Sequence, residues 1–142
     1  MEELISVKTG DVVCHLGVDH VVGRVLRFEG EGLVLVRAMV DGEPGTSLII
    51  TDGPNALAAL CRPARISAPM REPPDLVEHA GLKYRRHRRM DLKDRAHGGA
   101  STHIHLHEGP DGMYLWFLQG MGSMETLEGR KLQLADVMVL KS

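Results

Sequence analysis

Three histidines at alternate positions, in Thr102-His103-Ile104-His105-Leu106-His107, are the side chains of this sequence best arranged for chemistry. A strand puts all three imidazoles on one face, with successive same-face Cα atoms roughly 7 Å apart. Two neighbours in an H-x-H pair can share an ion, and neutral imidazole suits zinc, iron, nickel or copper. Three on one straight strand do not converge. A metal centre on His103, His105 and His107 therefore needs a further ligand, for which Glu108, His97 and His79 are the candidates. The cofactor in that reading is a divalent transition metal. The competing reading needs no cofactor and makes the three rings a solvated face behind Ile104 and Leu106.

The second constellation is basic. Lys83, Arg85, Arg86, Arg88, Arg89, Lys93 and Arg95, offset by Asp91 and Asp94, give residues 83–97 a net charge of +5, against −2 for the whole chain. Such a stretch can hold phosphate in a nucleic acid, a lipid headgroup or a nucleotide. Alternation divides the charges. Lys83, Arg85, His87 and Arg89 share one face and form the candidate anion-binding set; Leu82, Tyr84, Arg86, Arg88, Met90 and Leu92 share the other. Only Tyr84 offers a ring for base stacking. A salt-bridged surface hairpin uses the same residues, with Arg86 and Arg88 turned to acids of the first half.

Nucleophilic catalysis has no foothold. The chain lacks G-x-S-x-G, C-x-x-C, H-E-x-x-H and phosphate-loop patterns. Asp11, Asp41, Asp52 and Asp111 fall in turns, where a carboxylate caps backbone donors. No catalytic residue is assigned.

The elements that must position these side chains are read from a repeated phrase. His15-Leu16-Gly17-Val18-Asp19-His20 returns as His79-Ala80-Gly81-Leu82-Lys83-Tyr84, at a constant offset of 64 residues. Each copy ends one apolar run and starts another. Runs at 20–28, 33–40 and 47–51 are separated by Glu29-Gly30-Glu31-Gly32 and Asp41-Gly42-Glu43-Pro44-Gly45, which are turn chemistries. In the second half, runs at 82–92, 102–108 and 113–118 are followed by Arg130 to Leu134 and by Val137 to Leu140, which returns to complete a barrel. Residues 54–60 allow a helical turn or two. Pro63, Pro69, Pro73 and Pro74 mark a crossing linker through which no sheet runs.

These readings give an all-β fold of two similar antiparallel units, packed as fused small barrels or a double roll, with at most one short helix. The first unit spans 1–62, the linker 63–75 and the second unit 76–142, all within one compact domain. The expected core holds Val12, Val22, Val25, Val34, Val36, Ile49, Leu82, Leu106, Leu115, Phe117, Leu132 and Val137. Aromatic residues are only 4% of the chain, so aliphatic side chains and eight methionines must fill it. The apolar run Leu33 to Val40 is broken by Arg37 and is far short of the roughly 20 residues that span a bilayer. No membrane insertion is expected, and no signal peptide is visible. Two cysteines form no disulfide framework, which points to a reducing, cytoplasmic setting.

The chain resembles the bacterial family known as domain of unknown function 4178 over nearly its whole length. In the first unit the resemblance rests on Gly10-Asp11-Val12-Val13, the Gly17 to Gly23 segment and Leu48-Ile49-Ile50. In the second it rests on Gly81-Leu82-Lys83-Tyr84, Gly98-Gly99, Tyr114 to Phe117 and Leu127 to Leu132. It implies a duplicated, mostly β fold without established catalytic residues. The strand from Lys83 to Arg89 is more basic than is usual in that family. The leading expectation is a non-enzymatic protein-interaction or accessory module with an unidentified protein partner and no cofactor. The alternatives are a metal site on His103, His105 and His107, or anion and nucleic-acid binding by the basic 83–95 hairpin.

Overall fold

Glycine breaks and alternating apolar residues build a chain that is mostly strand. A computed structural model describes residues 1–66, 72–95, 98–120 and 122–142. A four-residue helix, α1 (Glu2–Ile5), precedes β1 (Val12–His15), β2 (Val18–Gly30), β3 (Leu33–Val40), β4 (Ser47–Thr51) and β5 (Leu57–Pro63). Then come β6 (Leu76–His79), β7 (Leu82–Asp94), β8 (Ala100–Glu108), β9 (Met113–Gly120), β10 (Ser123–Lys131) and β11 (Val137–Leu140). Among the described residues no helix is long and apolar enough to cross a membrane.

The fold is all-β, and its eleven strands make one antiparallel sheet in the order β11-β1-β2-β3-β4-β5-β10-β9-β8-β7-β6. A further β2–β7 pairing, Phe28 with Asp94 and Glu29 with Lys93, links eight of the strands into a ring. The two sets of strands thus share one ring and do not close separately. Within the ring they meet at two seams, β2–β7 and β5–β10, and outside it β11 pairs with β1.

The two long strands are laid out alike. β1 and β6 have four residues each, β2 and β7 thirteen each, and all four boundaries keep the 64-residue offset. The turns between them are left-handed at both positions, with φ of 47° and 81° at Leu16 and Gly17 and 51° and 80° at Ala80 and Gly81. That backbone matches the twist of a two-residue hairpin. β2 carries a bulge between Val22 and Val25, and β7 one between Arg86 and Arg88. Before its bulge, the hairpin partner of β2 is extended by a Val22 N–H bond to the Asp11 carbonyl at 2.8 Å. In β7 the Arg86 N–H bonds the Asp75 carbonyl at 2.7 Å.

Three apolar clusters follow. The ring interior holds Phe28, Leu35, Ile49, Met90, Leu92, Ile104, Leu106 and Trp116. Outside β3–β5, side chains of α1, β1 and β11 bury Val13, Val36, Leu48 and Ile50. Outside β9, Val77 and Tyr84 pack on Leu115 and Phe117. Of the expected core, Val22, Val36, Ile49, Leu106, Leu115, Phe117 and Leu132 are buried, while Val12, Val25, Val34, Leu82 and Val137 are partly so. Val13 takes the fully buried place expected of Val12, because the inner face of β1 falls one residue later.

Three local expectations are corrected. Residues 54–60 form a turn and then β5, because Leu57, Ala59 and Cys61 alternate into the ring interior. The sheet runs through Pro63, which pairs with Leu127, and one step beyond, where the Ala64 N–H bonds the Thr126 carbonyl at 2.9 Å. Proline is tolerated there because it ends the strand. β11 does not complete the ring; it adds to the outer edge of β1. Asp11 anchors that return, accepting the Ser142 N–H at 2.9 Å and the Lys8 N–H at 2.9 Å.

Candidate functional site

The histidine strand is β8, held between β7 and β9. Ile104 and Leu106 point into the ring, so the three imidazoles point outward. They do not form the solvated face that alternation alone suggests. His105 and His107 are fully buried, and only His103 is partly exposed. The reason is the segment leading into β6, which crosses the outer face of β8. The His107 Nε2 lies 2.8 Å from the Pro74 carbonyl oxygen, so Nε2 carries the proton and donates. Its ring meets Phe117 edge-on, with centroids 5.0 Å apart.

Burial pushes both imidazoles below the ordinary histidine range, and the Arg86 guanidinium pushes further in the same direction. Both rings are therefore neutral at pH 7. The Nδ1 atoms of His105 and His107 are buried with no hydrogen-bond partner among the described residues. His103 stands apart, its Nδ1 2.6 Å from Asp91 Oδ1.

The additional ligands do not assemble around these rings. His79 faces Glu128 across 3.3 Å, Glu108 faces His87 across 3.5 Å, and His97 lies outside the described residues. Among the described residues, no three His, Cys, Asp or Glu side chains are grouped to hold a metal.

All four residues of the candidate anion set, Lys83, Arg85, His87 and Arg89, are exposed, but the bulge between Arg86 and Arg88 splits them: Lys83 and Arg85 share the face of Glu108, whereas Arg89 stands beside His105 on the outer face. Carboxylates accompany most of it. Lys83 stands opposite Glu78, and Arg85 opposite Glu108. Arg89 pairs with Glu72 at 3.2 Å and Asp91 at 3.4 Å. On the same outer face as Arg89, Arg86 pairs with Asp75 at 3.2 Å and Glu72 at 3.7 Å, and donates to the Pro73 carbonyl. Its acids thus come from the crossing segment, not from the first unit, because that segment is laid directly beside β7. The basic stretch reaches the first unit instead through Arg95, which pairs with Glu29 at 2.6 Å.

The turn aspartates behave largely as caps. Asp41 accepts the Val21 N–H at 2.9 Å, and Asp52 the Val34 N–H at 2.7 Å. Asp111 instead supplies a left-handed turn position, with φ of 57°.

Two concavities have no counterpart in the sequence reading. One, of about 590 Å³, lies at the β5–β10 seam beside Asp19, His20, Glu43, Arg62, Glu128 and Arg130. Arg62 and Glu128 face one another there across 3.8 Å. The other, of about 490 Å³, opens where the β4–β5 turn meets β7, β8, β9 and β10. Both draw residues from strands far apart in sequence, so no local motif announces them. Comparison with protein-family models, curated proteins and solved structures found no match.

Proposed function

We propose that this chain is a non-enzymatic protein-interaction module that takes an extended segment of a partner protein onto the open edge of β6. The observation that carries this reading is the unequal treatment of two like-built edges. β1 is flanked by β2 on one side and β11 on the other. β6 is flanked by β7 alone among the described residues.

Ladder alternation determines what the open edge offers. The Asp75–Arg86 bond makes Val77 and His79 the residues that bond β7, leaving the N–H and C=O of Leu76 and Glu78 facing outward. Val12 and Cys14 occupy the same places in β1 and face β11. Main-chain bonds supply affinity in strand addition, and alternate side chains supply specificity.

β11 itself indicates the chemistry of the occupant. Val139 lies opposite Val13, where it packs against the apolar cluster outside β3–β5. A residue opposite Val77 would meet the corresponding cluster of Tyr84, Leu115 and Phe117. Met138 lies opposite Cys14, whereas the equivalent residue of β6 is Glu78. The occupant is therefore an antiparallel segment with apolar residues opposite Val77 and His79 and a cation opposite Glu78. The thiols support a non-enzymatic role. Burial pushes Cys61 up to about 12, and a hydrogen bond with Asp19 raises Cys14, so neither is a ready nucleophile. Reduced thiols also suit a cytoplasmic setting.

The probe is a synthetic peptide of residues 133–142 carrying M138K, titrated into the isotope-labelled protein. Saturable slowing of exchange at the Leu76 and Glu78 amides, weakened by E78K, is the expected result. No change at these amides up to ~1 mM peptide would count against the reading. Concentration-dependent dimerisation that protects the same amides without peptide would replace the partner with a second copy.

A further inference from the structure

The cavity of about 490 Å³ at the mouth of the ring has a composition different from the outer face of β7. Its floor is the ring interior: Leu57, Met90 and Leu106 line it and belong to the central apolar cluster. Its wall includes Tyr114, which is buried. Arg88 enters from the β7 bulge on the inward-facing side, the side of buried Met90 and Leu92. Lys131 enters from the end of β10.

The side chains of Arg88 and Lys131 make no hydrogen bond or ion pair among the described residues, unlike those of Arg86 and Arg89 on the same strand as Arg88. Among the described residues the one carboxylate lining this mouth, Glu108, lies 3.5 Å from His87 Nδ1. Two cations without a partner thus stand over an apolar floor. A concave site with low-dielectric walls strengthens their field, and a guanidinium fork matches a carboxylate in two parallel hydrogen bonds. The volume falls within the range of small-molecule sites, and β-barrel mouths are common places for them.

We propose that this mouth binds a small organic carboxylate. Its head sits on Arg88 and Lys131, and its apolar body covers Leu57, Met90 and Leu106. A polymer is not the fitting ligand, because Arg88 and Lys131 lie inside the mouth and the outward Arg86 and Arg89 of β7 are paired with carboxylates. The site is independent of the β6 edge: it uses the opposite face of β7 and neither Leu76 nor Glu78.

The test is a calorimetric and methyl-NMR titration with acetate, butyrate, hexanoate and 1-hexanol. Each added methylene should tighten carboxylate binding about fourfold until the floor is covered. Hexanoate should shift the Leu57 and Leu106 methyl signals, and 1-hexanol should bind at least ~10-fold more weakly. R88Q should weaken hexanoate at least ~10-fold and leave 1-hexanol unchanged, with R88K between. K131Q, at an exposed position, repeats the test should R88Q fail to fold. Three results would overturn the proposal: no hexanoate binding at ~10 mM, equal binding of acid and alcohol, or shifts confined to residues outside the mouth.

Discussion

Replacing Gly129 with alanine tests the β5–β10 seam where it is tightest. Gly129 stands directly opposite Cys61. A Cβ on Gly129 would run into Cys61 Sγ and the Leu60 carbonyl oxygen, and would lie 2.9 Å from Cys61 Cα. Two of these three obstacles are backbone atoms, so no side-chain rotation makes room. Inserting a methyl into a packed interior costs about 1–3 kcal/mol when neighbours can shift. Here the strands themselves must part, which places G129A at about 3 kcal/mol or more. In a chain of this length each kcal/mol lowers the melting temperature by about 2–4 °C, so a drop of roughly 6–12 °C is expected. C61A removes the sulfur but leaves the other two obstacles, so it should restore less than half of the loss in the double variant. Urea and thermal unfolding followed by circular dichroism measure both. A loss under ~0.5 kcal/mol for G129A would refute the close pairing of these strands.

Three further outcomes follow from local chemistry. The Ser142 and Lys8 N–H groups hold Asp11 down to about 2, so its stabilisation is complete above the unfolded value near 3.8 and is lost as pH falls through about 2. D11N should remove that acid-range slope in melting temperature and fray β11 in amide exchange. His105 and His107 are depressed by burial, so the unfolded chain binds their protons first; stability should fall as pH drops below about 6.5, and H105Q/H107Q should flatten that slope. Leu16 and Ala80 hold left-handed φ angles in exposed turns, so L16N and A80N should each raise stability by roughly 0.5–1 kcal/mol in urea unfolding; a loss at either would contradict the shared turn geometry.

Strand-level features were legible in the sequence because they are local. The repeated H-x-G phrase marks two hairpins whose glycines adopt positive φ, and alternation along Leu82 to Leu92 separates exposed from enclosed positions, although the bulge puts Tyr84 and Arg86 on the outer face and Arg88, Met90 and Leu92 on the inner one. What escaped is non-local. His105 and His107 look solvated beside Ile104 and Leu106, since nothing nearby in sequence reveals that Pro73 and Pro74 cross above them. Arg88 looks like one more surface cation until the ring closes and turns it over Met90 and Leu106. The open edge of β6 is legible only by comparison with β1, whose partner β11 lies more than a hundred residues further along the chain.

Amide exchange in the free protein tests the account most directly, by comparing Leu76 and Glu78 of β6 with Val12 and Cys14 of β1. Val12 and Cys14, whose N–H groups face β11, should exchange at least ~100-fold more slowly than an unstructured chain, while Leu76 and Glu78 should stay within ~10-fold of it. Equal protection at all four positions would mean that the β6 edge is already filled, and strand addition there would be untenable.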